Sequence, residues 1–165
     1  MDSLRKLNSH YIRSSVFGIE DSLVSTTGLI AGVAVGTTNK NVVILAGIVA
    51  IAVEAFSMAA GEFISEETEH DLEPGSKQQK PAVAGLVMFV SYLLAGLIPL
   101  LPIIALPLPQ ALYATIVFAA AGLFVLGLIK GQLTRKTLIR SGIKVLLIGG
   151  IATIIGIVVG IFFKV

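Results

Sequence analysis

Long apolar runs alternate with short polar segments along the whole chain. Each run is close to the roughly 20 residues that an α-helix needs to cross the hydrocarbon core of a bilayer. The runs are too long for strands and lack the alternation of a β-barrel. Because a helix satisfies its own backbone hydrogen bonds in lipid, the pattern predicts an all-α membrane protein with five transmembrane helices. The predicted spans are residues 16–35, 42–64, 82–105, 111–129 and 143–163.

The polar segments complete a single transmembrane domain over residues 1–165. Residues 1–15 carry basic and aromatic side chains that suit the headgroup region, so we expect a short cytosolic helix at the membrane surface. Residues 65–81 form the most polar segment and are predicted to be an acidic cytosolic link.

Composition excludes an ordinary soluble domain. The chain is 55% hydrophobic, its mean hydropathy is +0.94 and only 13% of its residues are charged, about half the usual share. It has no cysteine, which excludes disulfides and thiolate metal sites. We find no catalytic motif and no resident-cofactor motif, so we expect neither an enzyme nor a bound cofactor. The lack of an evident targeting signal favours a prokaryotic cell membrane over a vacuolar one.

Basic residues predict the orientation of the chain. Ten of the twelve fall at one set of helix ends and two at the other, and positively charged loops stay in the cytosol. The N-terminus is therefore expected inside and the C-terminus outside. The basic stretch 130–144 lies between two spans, so we interpret it as part of this signal and expect no nucleic-acid partner. The ten are Arg5, Lys6, Arg13, Lys77, Lys80, Lys130, Arg135, Lys136, Arg140 and Lys144, and the two are Lys40 and Lys164.

Carboxylates inside the spans are the most informative feature. Glu20 and Asp21 lie in the first span, and Glu54 and Glu62 in the second. A carboxylate at the bilayer centre costs about 2.5–3.5 kcal/mol, and no Lys or Arg is expected at matching depth to neutralise it. One explanation is that the carboxyls stay protonated. The other is that they bind a transported cation, or a proton exchanged for it.

The second span carries candidate ligands at helical spacing. Glu54, Met58 and Glu62 recur every four residues and share one face. Counted from the cytosolic edges, Asp21 lies roughly 8 Å deep and Met58 roughly 9 Å deep, so the two can face each other. Oxygen ligands alone suit magnesium, calcium or manganese, whereas a thioether shifts the preference towards softer metals such as ferrous iron.

Two further groups each have two interpretations. The acidic residues after the second span, Glu66, Glu69, Asp71 and Glu73, form either a solvated helix end or a cluster that captures cations at the entrance. Gly28, Gly32 and Gly36, four residues apart, either pack helices within one subunit or form a subunit interface. Serines within the spans are expected to bond to their own helix backbone.

These motifs resemble the vacuolar iron transporter family. Residues 16–26, VFGIEDSLVST, are similar to the family's phenylalanine–glycine–X–X–aspartate–glycine–leucine–valine–serine motif. Residues 57–65, SMAAGEFIS, are similar to its serine–methionine–alanine–X–glycine–glutamate motif, and Asp71 and Glu73 match acids that commonly follow it. Pro81 and residues 96–102, GLIPLLP, match its third span. The resemblance covers residues 12–102.

The resemblance implies a five-span homodimer that exchanges ferrous iron or manganese for protons. It implies a metal path at the dimer interface, with Asp21 and Met58 as ligands and Glu62 nearby. Many members insert a long acidic metal-binding domain after the second span, whereas here residues 65–81 fill that gap. Ser22 stands where glycine is common, and Glu20 and Glu54 are acids where many members have none.

The function predicted is therefore export of ferrous iron or manganese from the cytosol, with protons as the exchanged ion. Two alternatives remain. A proton-coupled exporter of organic cations would also use intramembrane glutamates, but it needs aromatic residues around them and the chain is only 7% aromatic. A non-transporting membrane assembly protein would keep its acids protonated and structural.

Overall fold

The structure is a computed structural model that describes residues 2–72 and 80–164, with only the backbone for residues 2–9. Over these ranges it contains five α-helices and no strand. The helices are α1 Asp2–Gly36, α2 Lys40–Leu72, α3 Pro81–Ala105, α4 Leu108–Leu133 and α5 Leu138–Phe162. Each includes a stretch long and apolar enough to cross a membrane. The predicted all-α, five-span fold class is thus confirmed.

Two predicted boundaries are corrected. Helix α1 runs without a break from Asp2, so residues 1–15 do not form a separate surface helix in the described part of the chain. Helix α2 continues to Leu72, so the first half of the acidic link is helical. The reason is the same in both places: no proline or glycine interrupts the helix next to the apolar run. Glu73 and Lys77 lie outside the described residues.

Helix α1 is the centre of the bundle and contacts the other four helices. Its glycines Gly28, Gly32 and Gly36 meet Ala152, Gly156 and Gly160 of α5 in the same order, so α1 and α5 run parallel. Hydrogen bonds pair Ser14 with Glu62 and Ser25 with Glu54, which makes α1 and α2 antiparallel. The starts of α1 and α5 therefore share one end of the bundle with the end of α2. Which side of the membrane this end faces stays a prediction.

The glycine stripe of α1 packs inside the chain. All three glycines are buried, and a Cβ added to Gly28 or Gly36 would lie 3.1 or 3.3 Å from a carbonyl oxygen of α5. Small residues let two membrane helices approach until their backbones touch. In this structure Gly28, Gly32 and Gly36 therefore pack helices within one subunit, and their role in a subunit interface stays a prediction.

The outward faces of the helices are apolar. Leu45, Val53 and Phe56 of α2 and Ile161 of α5 are among many large side chains more than half exposed. In a water-soluble protein such a surface would cause aggregation, but in a bilayer it faces lipid tails. The polar side chains described next are instead gathered where α1 meets α2, α3 and α4.

Candidate ion-binding site

Two hydrogen bonds bridge α1 and α2 and fix their relative register. Ser14 Oγ donates to Glu62 Oε1 near one end of the bundle. Ser25 Oγ donates to Glu54 Oε2 at 2.8 Å, three turns further along α1. Asp21 lies between the two serines on α1, and Met58 lies midway between the two glutamates on α2. The bridges therefore place Asp21 and Met58 at a similar level, which agrees with the depths estimated from the sequence.

Asp21 is a carboxylate with no hydrogen-bonding partner in the part of the chain that the structure describes. It is half-buried and makes no hydrogen bond or ion pair with the described residues, and the carboxylates of Glu54 and Glu20 lie within electrostatic range of it. Met58 is also half-buried. A buried carboxylate that gains no hydrogen bond requires a compensating cation or a proton. The Asp21 carboxylate can therefore serve as a ligand for a cation.

Glu54 is held by three helices. Its Oε2 accepts one hydrogen bond from Ser25 of α1 and another from Tyr92 Oη of α3. The two hydroxyl oxygens of Ser25 and Tyr92 lie 2.6 Å apart. Tyr92 is fully buried, and its main-chain carbonyl accepts a hydrogen bond of 2.7 Å from Ser22 Oγ. Glu54 is thus a positioned carboxylate, in contrast to Asp21.

Glu20 has a cationic partner, although no Lys or Arg was expected at the depth of the intramembrane carboxylates. Lys130 Nζ in the last turns of α4 lies 3.4 Å from Glu20 Oε2. The sequence places Lys130 outside its span, but a lysine near a helix end extends its side chain along the apolar surface and carries the ammonium several ångströms from its Cα. Glu20 is one residue from Asp21 and faces a different neighbour. Its charge is balanced within the chain, so a bound cation is not needed to compensate it.

A groove lies near these residues, towards the end of the bundle where α1 begins. Its volume is about 810 Å³. Helices α1, α2 and α4 line it, and its polar side chains are Arg13, Ser14, Glu20, Glu62, Lys130 and Thr134. Glu20 and Glu62 thus line the groove, whereas Asp21 and Glu54 lie further from this end along their helices and are not among its lining residues.

The acidic cluster at the end of α2 is divided by the fold. Glu66 is only 1% exposed, and its Oε1 lies 3.8 Å from Arg13 Nη2 and 4.0 Å from His10 Nδ1. Glu69 and Asp71 are exposed. Glu66 thus fits neither a solvated helix end nor an accessible capture cluster in this structure, because the start of α1 covers it.

The candidate ligands lie one after another along the helices and do not surround a common point among the described residues. Among residues 10–72 and 80–164, no three His, Asp or Glu side chains come together in a group that could hold a metal ion. Glu62, Met58 and Glu54 succeed one another along α2, and Asp21 of α1 lies at a level similar to that of Met58. A dication bound at Asp21 would need further ligands from the thioether, main-chain carbonyls, water or a second copy of the chain.

Sequence reasoning missed the hydroxyl groups. The hydroxyls of Ser14, Ser22 and Ser25 donate hydrogen bonds to other helices. Ser22 and Ser25 lie within the first span, where serines were expected to bond to their own helix backbone. Ser25 lies one turn from Asp21, which was an available signal. Tyr92 was also detectable, because a tyrosine in the middle of an apolar span usually finds a hydrogen-bond partner.

The chain matches the VIT family over residues 12–80 and 69–161. These two matches cover nearly all of the five helices, and the protein therefore belongs to the VIT family of membrane proteins. The resemblance inferred from the motifs of the first three spans is thus confirmed, and it extends over the last two.

Relatives in plants are similar over most of their length. Vacuolar iron transporter homolog 2 of Oryza sativa subsp. japonica is 28% identical over 166 residues, which cover 89% of this chain and 87% of the relative. Vacuolar iron transporter homolog 3 of Arabidopsis thaliana is 27% identical, with 87% and 78% covered. VIT-like transporter 1b of Glycine max is 25% identical, with 87% and 72% covered.

Proposed function

We propose that the protein transports a divalent metal cation, ferrous iron or manganese, out of the cytosol in exchange for protons. The observation that carries the proposal is Asp21, a carboxylate within a membrane-spanning helix that has no hydrogen-bonding partner among the described residues and lies at the level of Met58. Membership of the VIT family and relatives named vacuolar iron transporter homologs support the choice of a metal ion. We propose no enzymatic activity and no resident cofactor, since the metal is the cargo.

The proposed route follows the row of ligands. The cation enters the groove past Glu62, binds between Asp21 and Met58, and moves on towards Glu54. Carboxylate oxygens suit manganese, and a thioether beside them shifts the preference towards the softer ferrous iron. The exposed acids Glu69 and Asp71, with Glu73, are proposed to raise the local cation concentration near the groove.

Exchange for protons follows from the cost of an uncompensated charge in lipid. With a dication bound, the carboxylate charges are neutralised. Once the metal leaves, Asp21 and Glu54 remain as like charges within range of each other. Uptake of a proton removes one of these charges and relieves their repulsion. The proton then returns on the path by which the metal left, so no second pathway is required.

A parallel homodimer would complete the ligand set. A two-fold axis beside α2 would bring two copies of Asp21 and Met58 together, and α2 packs mainly on α1 and α3, which leaves much of its surface uncovered. The interface proposed here involves α2, because the glycine stripe of α1 is occupied by α5. Residence in a prokaryotic cell membrane stays a proposal, and the relatives named above are from plants.

Purified protein in liposomes tests the proposal directly. Uptake of iron, manganese, zinc and calcium is compared under a pH gradient, for the unmodified chain and for Asp21→Asn. We expect iron or manganese flux that Asp21→Asn abolishes. Glu67→Gln is the matched control, because Glu67 is exposed and lies on the same helix as Met58. Normal flux in Asp21→Asn would contradict the assignment of the site.

A further inference from the structure

The hydrogen bonds of Glu54 leave its two carboxylate oxygens unequal. Both hydroxyl donors, Ser25 Oγ and Tyr92 Oη, meet the same oxygen, Oε2. The other oxygen, Oε1, has no hydrogen-bonding partner among the described residues, and the side chain is only partly buried. Glu54 therefore keeps one oxygen engaged and has the other free of hydrogen bonds to the described residues.

The two donors are themselves fixed in place. Tyr92 is fully buried, its carbonyl accepts from Ser22, and its hydroxyl lies 2.6 Å from Ser25 Oγ. Ser22 and Ser25 are on one turn of α1, so α1 contacts Tyr92 at two points on that residue. Gly96, one turn further along α3, lies against Ser22 and Ile51, which brings the three helices close together at this level. Rotation of the Glu54 carboxylate would break hydrogen bonds to two different helices.

A carboxylate with one engaged oxygen binds a cation through the other oxygen alone. Calcium takes about 6–8 oxygen ligands and commonly uses both oxygens of a carboxylate at flexible distances. Manganese and ferrous iron commonly take about six ligands in octahedral geometry, in which a carboxylate can contribute a single oxygen. A fixed one-oxygen ligand therefore disfavours calcium relative to these metals.

We propose that Tyr92 and Ser25 are positioning residues that set ion selectivity by restricting Glu54 to one-oxygen coordination. This inference rests on the proposed function, since it assumes that the cation passes Glu54. It adds a specificity filter one turn beyond Asp21 and Met58, built from three helices of one chain. Removing one hydroxyl leaves Oε2 with a single hydrogen bond, so that Glu54 can turn and offer both oxygens to calcium more easily.

The test is calcium inhibition of manganese uptake into liposomes that contain the full chain. For Tyr92→Phe we expect the calcium concentration that halves manganese uptake to fall about tenfold, the factor that corresponds to about 1.4 kcal/mol. Ser25→Ala should change it in the same direction. Tyr113→Phe is the control, because Tyr113 is 73% exposed on α4 and the same hydroxyl is removed away from Glu54. It should leave the calcium sensitivity unchanged.

Selectivity separates positioning from a merely structural role. A variant that only loses stability transports less manganese, with the same ratio of manganese to calcium. In a Glu54→Gln background, Tyr92→Phe should produce no further change of that ratio, because the carboxylate it positions is gone. If Tyr92→Phe fails to fold, Ser25→Ala decides the question alone.

The outcomes are distinct. Unchanged calcium sensitivity in both hydroxyl variants, with normal manganese uptake by the unmodified chain, would overturn the inference and leave the proposed function standing. An equal shift in Tyr113→Phe would also overturn it. No manganese or iron uptake by the unmodified chain would contradict the proposed function itself.

Discussion

Replacing Gly32 by alanine should destabilise the fold of the single chain. A Cβ at this position falls 2.5 Å from the main-chain oxygen of Gly156, which is 0.9 Å closer than the 3.4 Å at which ordinary contacts begin. The obstacle is the backbone of α5, so no side chain can rotate away, and α1 and α5 must separate. Overpacking of this kind costs about 1–3 kcal/mol. The loss should exceed that of Gly36→Ala, where the corresponding distance is 3.3 Å.

The assay is reversible unfolding in detergent micelles or bicelles, followed by helicity. Gly150→Ala is the matched control, because a Cβ there meets nothing within 4 Å and the substitution is on the facing helix α5. It should be neutral or stabilising by up to about 1 kcal/mol, the helix-propensity difference between the two residues. Equal stability of Gly32→Ala and Gly150→Ala would refute the packing of α1 on α5 described above. A loss of dimer with unchanged subunit stability would instead restore the stripe to a subunit interface.

Three further predictions concern the Met58 thioether, the buried Glu66 and the topology. Met58→Leu keeps the volume and removes the sulfur, so liposome flux should fall more for ferrous iron than for manganese; an equal fall for both would remove the thioether from the site. Glu66→Gln removes the charge of a buried carboxylate paired with the exposed Arg13 and should lower the free energy of unfolding by about 1–3 kcal/mol, whereas the exposed Glu67→Gln should not; equal values would contradict the pairing. A cysteine replacing Lys40 should react with an impermeant reagent added to intact cells, and labelling at Lys77 instead would reverse the orientation.

Much of the fold could be predicted because the bilayer imposes it. Helix length follows from membrane thickness, so five apolar runs sufficed to predict five helices. The ends of the helices could be predicted less well, because α1 (Asp2–Gly36) and α2 (Lys40–Leu72) continue beyond their apolar runs into polar sequence. Nothing in hydropathy distinguishes a helix that stops at the interface from one that extends past it.

The site could be predicted only as far as side chains act on their own helix. The spacing of Glu54, Met58 and Glu62 is local, and it correctly indicated a stripe along α2. The Tyr92 hydroxyl and the Lys130 ammonium come from helices far along the chain, and one sequence gives no information on which helices touch. The same limit explains the glycine stripe, because spacing alone shows a face suited to close packing without naming its partner.

The most direct test of the account measures metal and proton movement together. Liposomes with an internal pH indicator and an internal metal indicator are given manganese outside, and both signals are followed for the unmodified chain and for Asp21→Asn. We predict manganese entry accompanied by proton exit in the unmodified chain, and the loss of both in Asp21→Asn with Glu67→Gln unchanged. Manganese entry without proton movement, or normal coupled movement in Asp21→Asn, would contradict the claim that one unpaired intramembrane carboxylate carries the exchange.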